Sequence, residues 1–255
     1  MHPVHPVPAE VARRLADDLA DVAGAELVAV YLHGSAALGG WVPGRSDIDM
    51  LIVAADDIGE PTLDSMVDAI VSLQRRRPPD QWPALALEIS IVAASAARDP
   101  GPPCPFLRHV VTDPGGQARI VKPDQERDDR DLLMHYVACR TAGYPAYGPP
   151  PGDLIGPIAR ADILCYLADE LRWSIANAPE RYGVLNACRA RLYLTDGAIV
   201  SKIAGGEAAL ERRTGPADVI SRALAQQRGS RSDRPPASDA IAFVEATAAM
   251  LRDGG

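Results

Sequence analysis

No C-x-x-C spacing joins the four cysteines of this 255-residue chain (Cys104, Cys139, Cys165 and Cys188), so neither a zinc cage nor a dithiol redox pair is expected. They read as reduced thiols packed like small apolar residues. No segment approaches the roughly 20 apolar residues that span a bilayer. Met1 to Glu10, punctuated by Pro and His, has no apolar stretch of the signal-peptide kind. A cytoplasmic protein with no membrane partner is therefore expected. Basic residues are in deficit too, with 26 Lys and Arg against 34 Asp and Glu and a formal net charge of -8. Nucleic acid is not the expected partner, since a phosphate backbone is normally held by a basic stripe. The sole basic cluster, Arg75-Arg76-Arg77, reads as a solvated helix C-terminus. An acidic surface suits a cationic small molecule instead. His2, His5, His33, His109 and His135 are too scattered for a metal site, and His33 is expected to pack or hydrogen-bond locally.

What is present is a core, with 47% of residues hydrophobic and 24% charged, enough for one large or two small domains. Val11, Leu15, Leu19 and Val22 recur at helical spacing between Ala9 and Gly24. Leu27 to Leu32 is a short apolar run closed by His33-Gly34-Ser35, and Asp49 to Ala54 is a second, entered from a turn at Pro43-Gly44; both read as buried strands. A helix from Thr62 to Arg77, stopped by Pro78-Pro79, precedes a third strand from Leu85 to Val92. In that strand Leu85, Leu87, Ile89 and Ile91 take one face and Glu88 the other. Short strands and loops are expected between Arg98 and Asp124, then a helix from about Arg127 to Thr141. The Pro-rich connector Tyr147 to Gly152 marks a domain boundary, after which the pattern is helical. Helices are expected over Ile158–Ala178, Val184–Thr195, Ser201–Arg213, Ala217–Gln227 and Ala237–Arg252, with an exposed, mobile loop at Arg228–Pro236. The fold class is α+β, with a small mixed sheet flanked by helices in residues 1–157 and an all-helical domain in residues 158–255.

The chemistry concentrates in His33-Gly34-Ser35, followed after eleven residues by Asp47-Ile48-Asp49. Asp47 and Asp49 lie two apart on an extended segment, so their side chains leave one face and can hold the same cations. Gly34 permits close backbone approach at the end of the first strand, and Ser35 can open a helix whose free N–H groups attract phosphate oxygens. Glu88 joins the pair if the third strand lies beside the second. Three carboxylates beside a phosphate-binding turn match two-magnesium phosphoryl chemistry, in which one ion acidifies an attacking hydroxyl and the other grips a triphosphate. Glu88 is the candidate general base, since no histidine has an obvious claim to that task.

Tyr31 to Gly40, followed by Ser46-Asp47-Ile48-Asp49-Met50-Leu51-Ile52-Val53, resembles the signature of the DNA-polymerase-beta-type nucleotidyltransferases. It is most similar to that of the aminoglycoside adenylyltransferases that modify streptomycin and spectinomycin. Leu85 to Val92 matches the strand that bears the family's catalytic glutamate, and Arg189, the Tyr193 region and Ile199 to Ala204 resemble its helical domain. The resemblance implies a catalytic domain, a helical domain and a cleft that closes around ATP and the antibiotic. It implies that Ser35, Ser46, Asp47 and Asp49 hold the nucleotide phosphates and two Mg2+ ions, that Glu88 is the base, and that Arg189 and Lys202 contact the triphosphate. The expected reaction is Mg-dependent transfer of AMP from ATP to a hydroxyl of the aminocyclitol, by a monomer, releasing pyrophosphate and conferring resistance.

On the acceptor side the chain departs from the family. Pro179 stands where the family has an acid, and the loop from Thr112 to Gly116 carries no tryptophan. Trp173 is either a sugar platform or a core-facing helical aromatic, and Glu180, Asp169 and Asp113 are candidate partners for substrate amines. Two other readings stay open: a nucleotidyltransferase acting on another natural product or a protein side chain, and a nucleotide-binding regulator without turnover.

Overall fold

Residues 4–76, 85–123 and 129–253 are described in the computed structural model of the chain. It divides into two compact units, Met1–Ile158 and Ala159–Gly255. Arg77, Pro78-Pro79, His2 and the expected helix start at Arg127 lie outside the described residues.

The three apolar runs become β1 (Leu27–Leu32), β2 (Ile48–Ala54) and β3 (Leu87–Ala93), the centre of the sheet. With β4 (Arg108–Thr112), β5 (Ala118–Val121) and β6 (Tyr144–Tyr147), the described strands run in the order β5-β4-β3-β2-β1-β6. Only β2 and β3 pair in parallel among the described residues, so the sheet is mixed. The parallel pair needs a crossover, and α3 (Glu60–Arg75) supplies it.

Alternation then assigns the faces. Ile48, Met50, Ile52 and Ala54 of β2, with Leu87, Ile89 and Ile91 of β3, are buried in one cluster with Val11, Leu15 and Leu19 of α1 (Pro6–Ala23) and Leu63, Met66 and Ile70 of α3. Each such aliphatic side chain contributes about 1.5–3 kcal/mol when fully buried. The other face of β2 and β3 carries Asp49, Glu88 and Ser90, and β2 contacts α2 (Gly34–Ala37) and α5 (Leu132–Ala142). At the sheet's far side Arg108 is buried, with its guanidinium on Glu60 and, at 3.3 Å, on Asp64, which ties β4 to α3. Arg76 pairs with Asp18 at 2.7 Å instead of standing as a purely solvated charge.

The connector read as a boundary belongs to the first unit. β6 pairs with β1 within it, on the sheet's outer edge, where Pro145 removes an N–H that an edge strand can spare. Two short helices that periodicity does not reveal, α4 (Ala94–Arg98) and α6 (Pro151–Leu154), complete this unit.

The second unit is helical: α7 (Arg160–Asn177), α8 (Glu180–Asp196), α9 (Lys202–Glu211), α10 (Ala217–Arg228) and α11 (Ala237–Asp253). α8 touches the other four and is buried along Val184, Leu185, Ala187 and Cys188. It begins four residues earlier than the periodicity predicts, because Pro179 occupies its N-cap position with Glu180 in the first turn. The loop after α10 is exposed but not free, since Arg234 is paired with Glu180. All four cysteines are thiols, yet Cys165 is exposed rather than packed.

Between β1 and α5 the rings of His33 and His135 meet at 4.8 Å. Burial holds both imidazoles below the ordinary value of 6.5; that of His33 lies well below, with the His135 ring adding to the shift, whereas the Asp129 and Asp131 carboxylates partly offset the lowering at His135. An unfolded chain therefore binds protons near and below that value that the native protein does not. Stability falls as pH drops through 6.5, by up to about 1.4 kcal/mol per pH unit for each ring. Urea unfolding should show a lower midpoint at about pH 5.5 than at about pH 7.5, and a midpoint that is equal or higher would contradict this packing.

Candidate active site

The end of the first unit's sheet where β1 finishes and β2 and β3 begin gathers the polar residues. The His33 N–H donates to the Asp49 carbonyl at 2.9 Å, which locks the end of β1 to the start of β2. In the parallel register Asp49 is the partner of Glu88, and the Ile48 N–H donating to the Ala86 carbonyl at 2.9 Å extends that pairing backwards. Neighbouring strands lie about 4.8 Å apart, so two carboxylates at paired positions on one face stand side by side. Both are half-buried, whereas Asp47, one pleat earlier and just before the strand, is exposed.

Gly34 makes the close approach possible. Its φ is +59°, and a Cβ there would lie 1.9 Å from Asp49 Oδ2. The Asp49 carboxylate thus occupies the space that any side chain at position 34 would need. Ser35 follows, and its N–H donates to Asp49 Oδ2 at 3.4 Å. α2 is a single turn, so the phosphate-attracting helix expected after Ser35 is reduced to a short loop of N–H groups, one of them turned to the carboxylate. Ser46 closes the turn before β2: its Oγ accepts from the Val42 N–H at 3.0 Å, leaving its own proton to donate.

These donors suit a hard cation. Among the described residues no three His, Cys, Asp or Glu side chains close into a ready-made metal cage. Magnesium seldom asks for one, since it keeps several waters and is bound by one or two carboxylates together with substrate phosphates. Carboxylate oxygens at Asp47, Asp49 and Glu88, on one strand end and open to solvent in part, fit that kind of ligation. Behind them Cys139 of α5 is buried, which pushes its thiol well up, with the Asp49 charge adding to the shift. It is an inert packing group.

In the second unit Arg189 and Lys202 lie on the packed pair α8 and α9. Gly205 lets the helices approach, since a Cβ there would come within 2.7 Å of Arg189 Cγ. Arg189 donates to Asn186 Oδ1 at 3.2 Å. Ser201 caps α9, its Oγ accepting from the Ala204 N–H at 3.2 Å, and Lys202 is the first helical residue. The Lys202 Nζ lies 4.4 Å from the centroid of the Tyr182 ring.

The acceptor-side candidates fare differently. Trp173 is 52% exposed, which removes the core-facing alternative, and its ring meets Tyr182 edge-on at 6.4 Å. Glu180 is engaged by both Arg234 nitrogens, at 2.9 and 3.1 Å, and Arg234 holds its carboxyl below the usual range. Asp113 accepts from the Gln117 N–H at 2.9 Å and so closes its own β4–β5 hairpin. Asp169 pairs with Arg172 at 3.3 Å. Neither Tyr182 nor Arg234 was singled out from the sequence. Arg234 sits in a segment whose composition reads as bare loop, and Tyr182 falls before the expected start of its helix.

Residues 12–98 match the family model described as a nucleotidyltransferase domain, which gives the class of the chain. Residues 153–252 match that described as the C-terminal domain of aminoglycoside adenylyltransferase. The chain therefore joins a nucleotidyltransferase domain to the C-terminal domain of an aminoglycoside adenylyltransferase, and is an enzyme of that type. Among solved structures, spectinomycin adenyltransferase AAD(9) from Enterococcus faecialis, crystallised with ATP and spectinomycin, shares its fold. That match covers 96% of this chain and 98% of that chain at a TM-score of 0.67 and 17% identity. No curated protein matches the chain.

Gly34→Ala places a methyl group where Asp49 now lies, and moving a reacting constellation by about 1 Å costs on the order of 10²-fold in rate. Steady-state assay of the variant should show that loss with an unchanged circular dichroism spectrum, and activity equal to the parent's would refute the close approach.

Proposed function

We propose that this enzyme transfers AMP from ATP to a hydroxyl of an aminocyclitol antibiotic of the spectinomycin or streptomycin type, releasing pyrophosphate. The observation that carries the reading is the pairing of Asp49 with Glu88 on one sheet face directly over Gly34. The two domain matches support nucleotidyl transfer to an aminoglycoside, and the bound ATP and spectinomycin of the AAD(9) structure support the donor and the acceptor class.

Asp47, Asp49 and Glu88 are the proposed ligands of two Mg2+ ions. When bound, the ions would supply positive charge to the triphosphate and lower the pKa of the attacking hydroxyl. Ser35 and Ser46 hold phosphate oxygens through N–H and O–H groups, and Arg189 and Lys202 of the helical unit neutralise the triphosphate. The acceptor oxygen bonds to the α-phosphorus, the bond from that phosphorus to the leaving pyrophosphate breaks, and Glu88 takes the hydroxyl proton. Trp173, exposed and in edge contact with Tyr182, offers apolar surface to the acceptor ring. Glu180 and Asp113 are weaker acceptor contacts, because one already binds a guanidinium and the other closes a turn. The enzyme acts as a cytoplasmic monomer, where ATP is supplied, and confers resistance to its acceptor.

Mass spectrometry of spectinomycin and streptomycin after incubation with enzyme and Mg-ATP tests the reaction. A gain equal to one AMP is expected on at least one of them. Glu88→Gln should slow its formation by about 10²- to 10⁴-fold, the range of a lost general base. Absence of adduct on both antibiotics would refute the acceptor class, and undiminished rate in Glu88→Gln would refute the base.

A further inference from the structure

Lys202 is one of two lysines in a chain whose other basic residues are all arginine, and Lys122, the second, pairs with Asp64 at 3.4 Å in the first unit. A lysine tail has four rotatable bonds and a compact, strongly hydrated charge, so its position is set only if something holds it. In this chain a ring does. The Lys202 Nζ stands 4.4 Å from the Tyr182 ring centroid, within the range of cation–π attraction. The ring is itself fixed from two sides. The Tyr182 hydroxyl donates to Glu170 Oε1 at 2.6 Å, and the Trp173 ring meets its face edge-on at 6.4 Å and 72°. Donation to a carboxylate also enriches the phenol ring in electron density, which strengthens its hold on a cation. The backbone at the far end of the lysine is equally constrained, by the Ser201 cap and by the packing of Gly205 on Arg189.

We infer that Tyr182 is a positioning residue of the adenylyl-transfer reaction, whose ring, clamped by Glu170 and Trp173, holds the Lys202 ammonium ready for the triphosphate. The inference rests on the reading of Lys202 as a triphosphate contact. A cation already placed loses less freedom when the nucleotide arrives, so the benefit falls on ATP binding and not on the acceptor.

The scarcity of lysine makes the test direct. Reductive methylation of the whole protein with 13C-formaldehyde labels Lys122, Lys202 and the α-amino group, and Lys202→Arg assigns the Lys202 signal. That signal should be shifted upfield by the ring current, lose the shift in Tyr182→Leu and keep it in Tyr182→Phe. In steady-state assays of the unlabelled protein, Tyr182→Leu should raise the KM for ATP about 3- to 10-fold while kcat and the acceptor KM stay within about twofold. Tyr182→Phe, which keeps the ring but loses its bond to Glu170, should fall between the parent and the Tyr182→Leu values. In a Lys202→Ala background, Tyr182→Leu should add nothing further. A rise in the acceptor KM instead, or an ATP effect that is additive with Lys202→Ala, would overturn the inference and make Tyr182 part of an acceptor platform. If Lys202→Ala leaves the KM for ATP unchanged, the inference falls while AMP transfer stands. If no antibiotic is adenylylated but ATP still moves the Lys202 signal in a Tyr182-dependent way, the acceptor reading falls and the inference stands.

Discussion

Hydrogen bonding between β2 and β3 sets Asp49 beside Glu88, and a slip of one residue would turn either carboxylate into the apolar face that α1 and α3 cover. The slip is prevented by that same apolar face. Ile48, Met50 and Ile52 must be buried together with Leu87, Ile89 and Ile91, so the register that fills the core is also the register that aligns the acids. Gly34 completes the constraint by leaving vacant the volume that the Asp49 carboxylate fills. The proposed metal chemistry therefore depends on hydrophobic packing on the opposite side of the sheet.

The helical unit shows how charge can be managed in a chain of net charge -8. Many of its acids are engaged by arginines: Glu180 by Arg234, Asp196 by Arg212, Glu207 by Arg228. Surface pairs of this kind add little stability. Their effect is to remove free carboxylates from the field that a cationic acceptor would feel, so the acceptor recognition proposed above would lean on aromatic surface such as Trp173 as well as on charge. The pairing of Glu180 with Arg234 also explains how the chain tolerates Pro179: the proline ends the approach to α8, and the following acid holds the α10–α11 loop.

Much of the catalytic unit was legible because alternation and apolar runs are local signals. Glu88 could be placed opposite Leu87 and Ile89 from periodicity, and the Asp47-x-Asp49 pair from its position at a strand start. β6 was not legible, since four residues containing Pro145 carry no strand pattern and exist only by pairing with β1. α2 was overestimated as a helix because Ser35 and the alanines favour one, while Gly34 at positive φ and the tight packing beneath Asp49 allow a single turn. Contacts distant in sequence, such as Arg234 on Glu180 and Arg108 on Asp64, leave no trace in local pattern. The Tyr182–Lys202 contact spans two helices and could be read only once their packing was known.

The central claim is that Asp47, Asp49 and Glu88 hold divalent cations around a triphosphate. Electron paramagnetic resonance of Mn2+ titrated into the protein with a non-hydrolysable ATP analogue tests it directly. Bound manganese should depend on the nucleotide analogue and should be lost or sharply weakened in Asp49→Asn. Equal manganese binding by parent and variant, or none in either, would contradict the account.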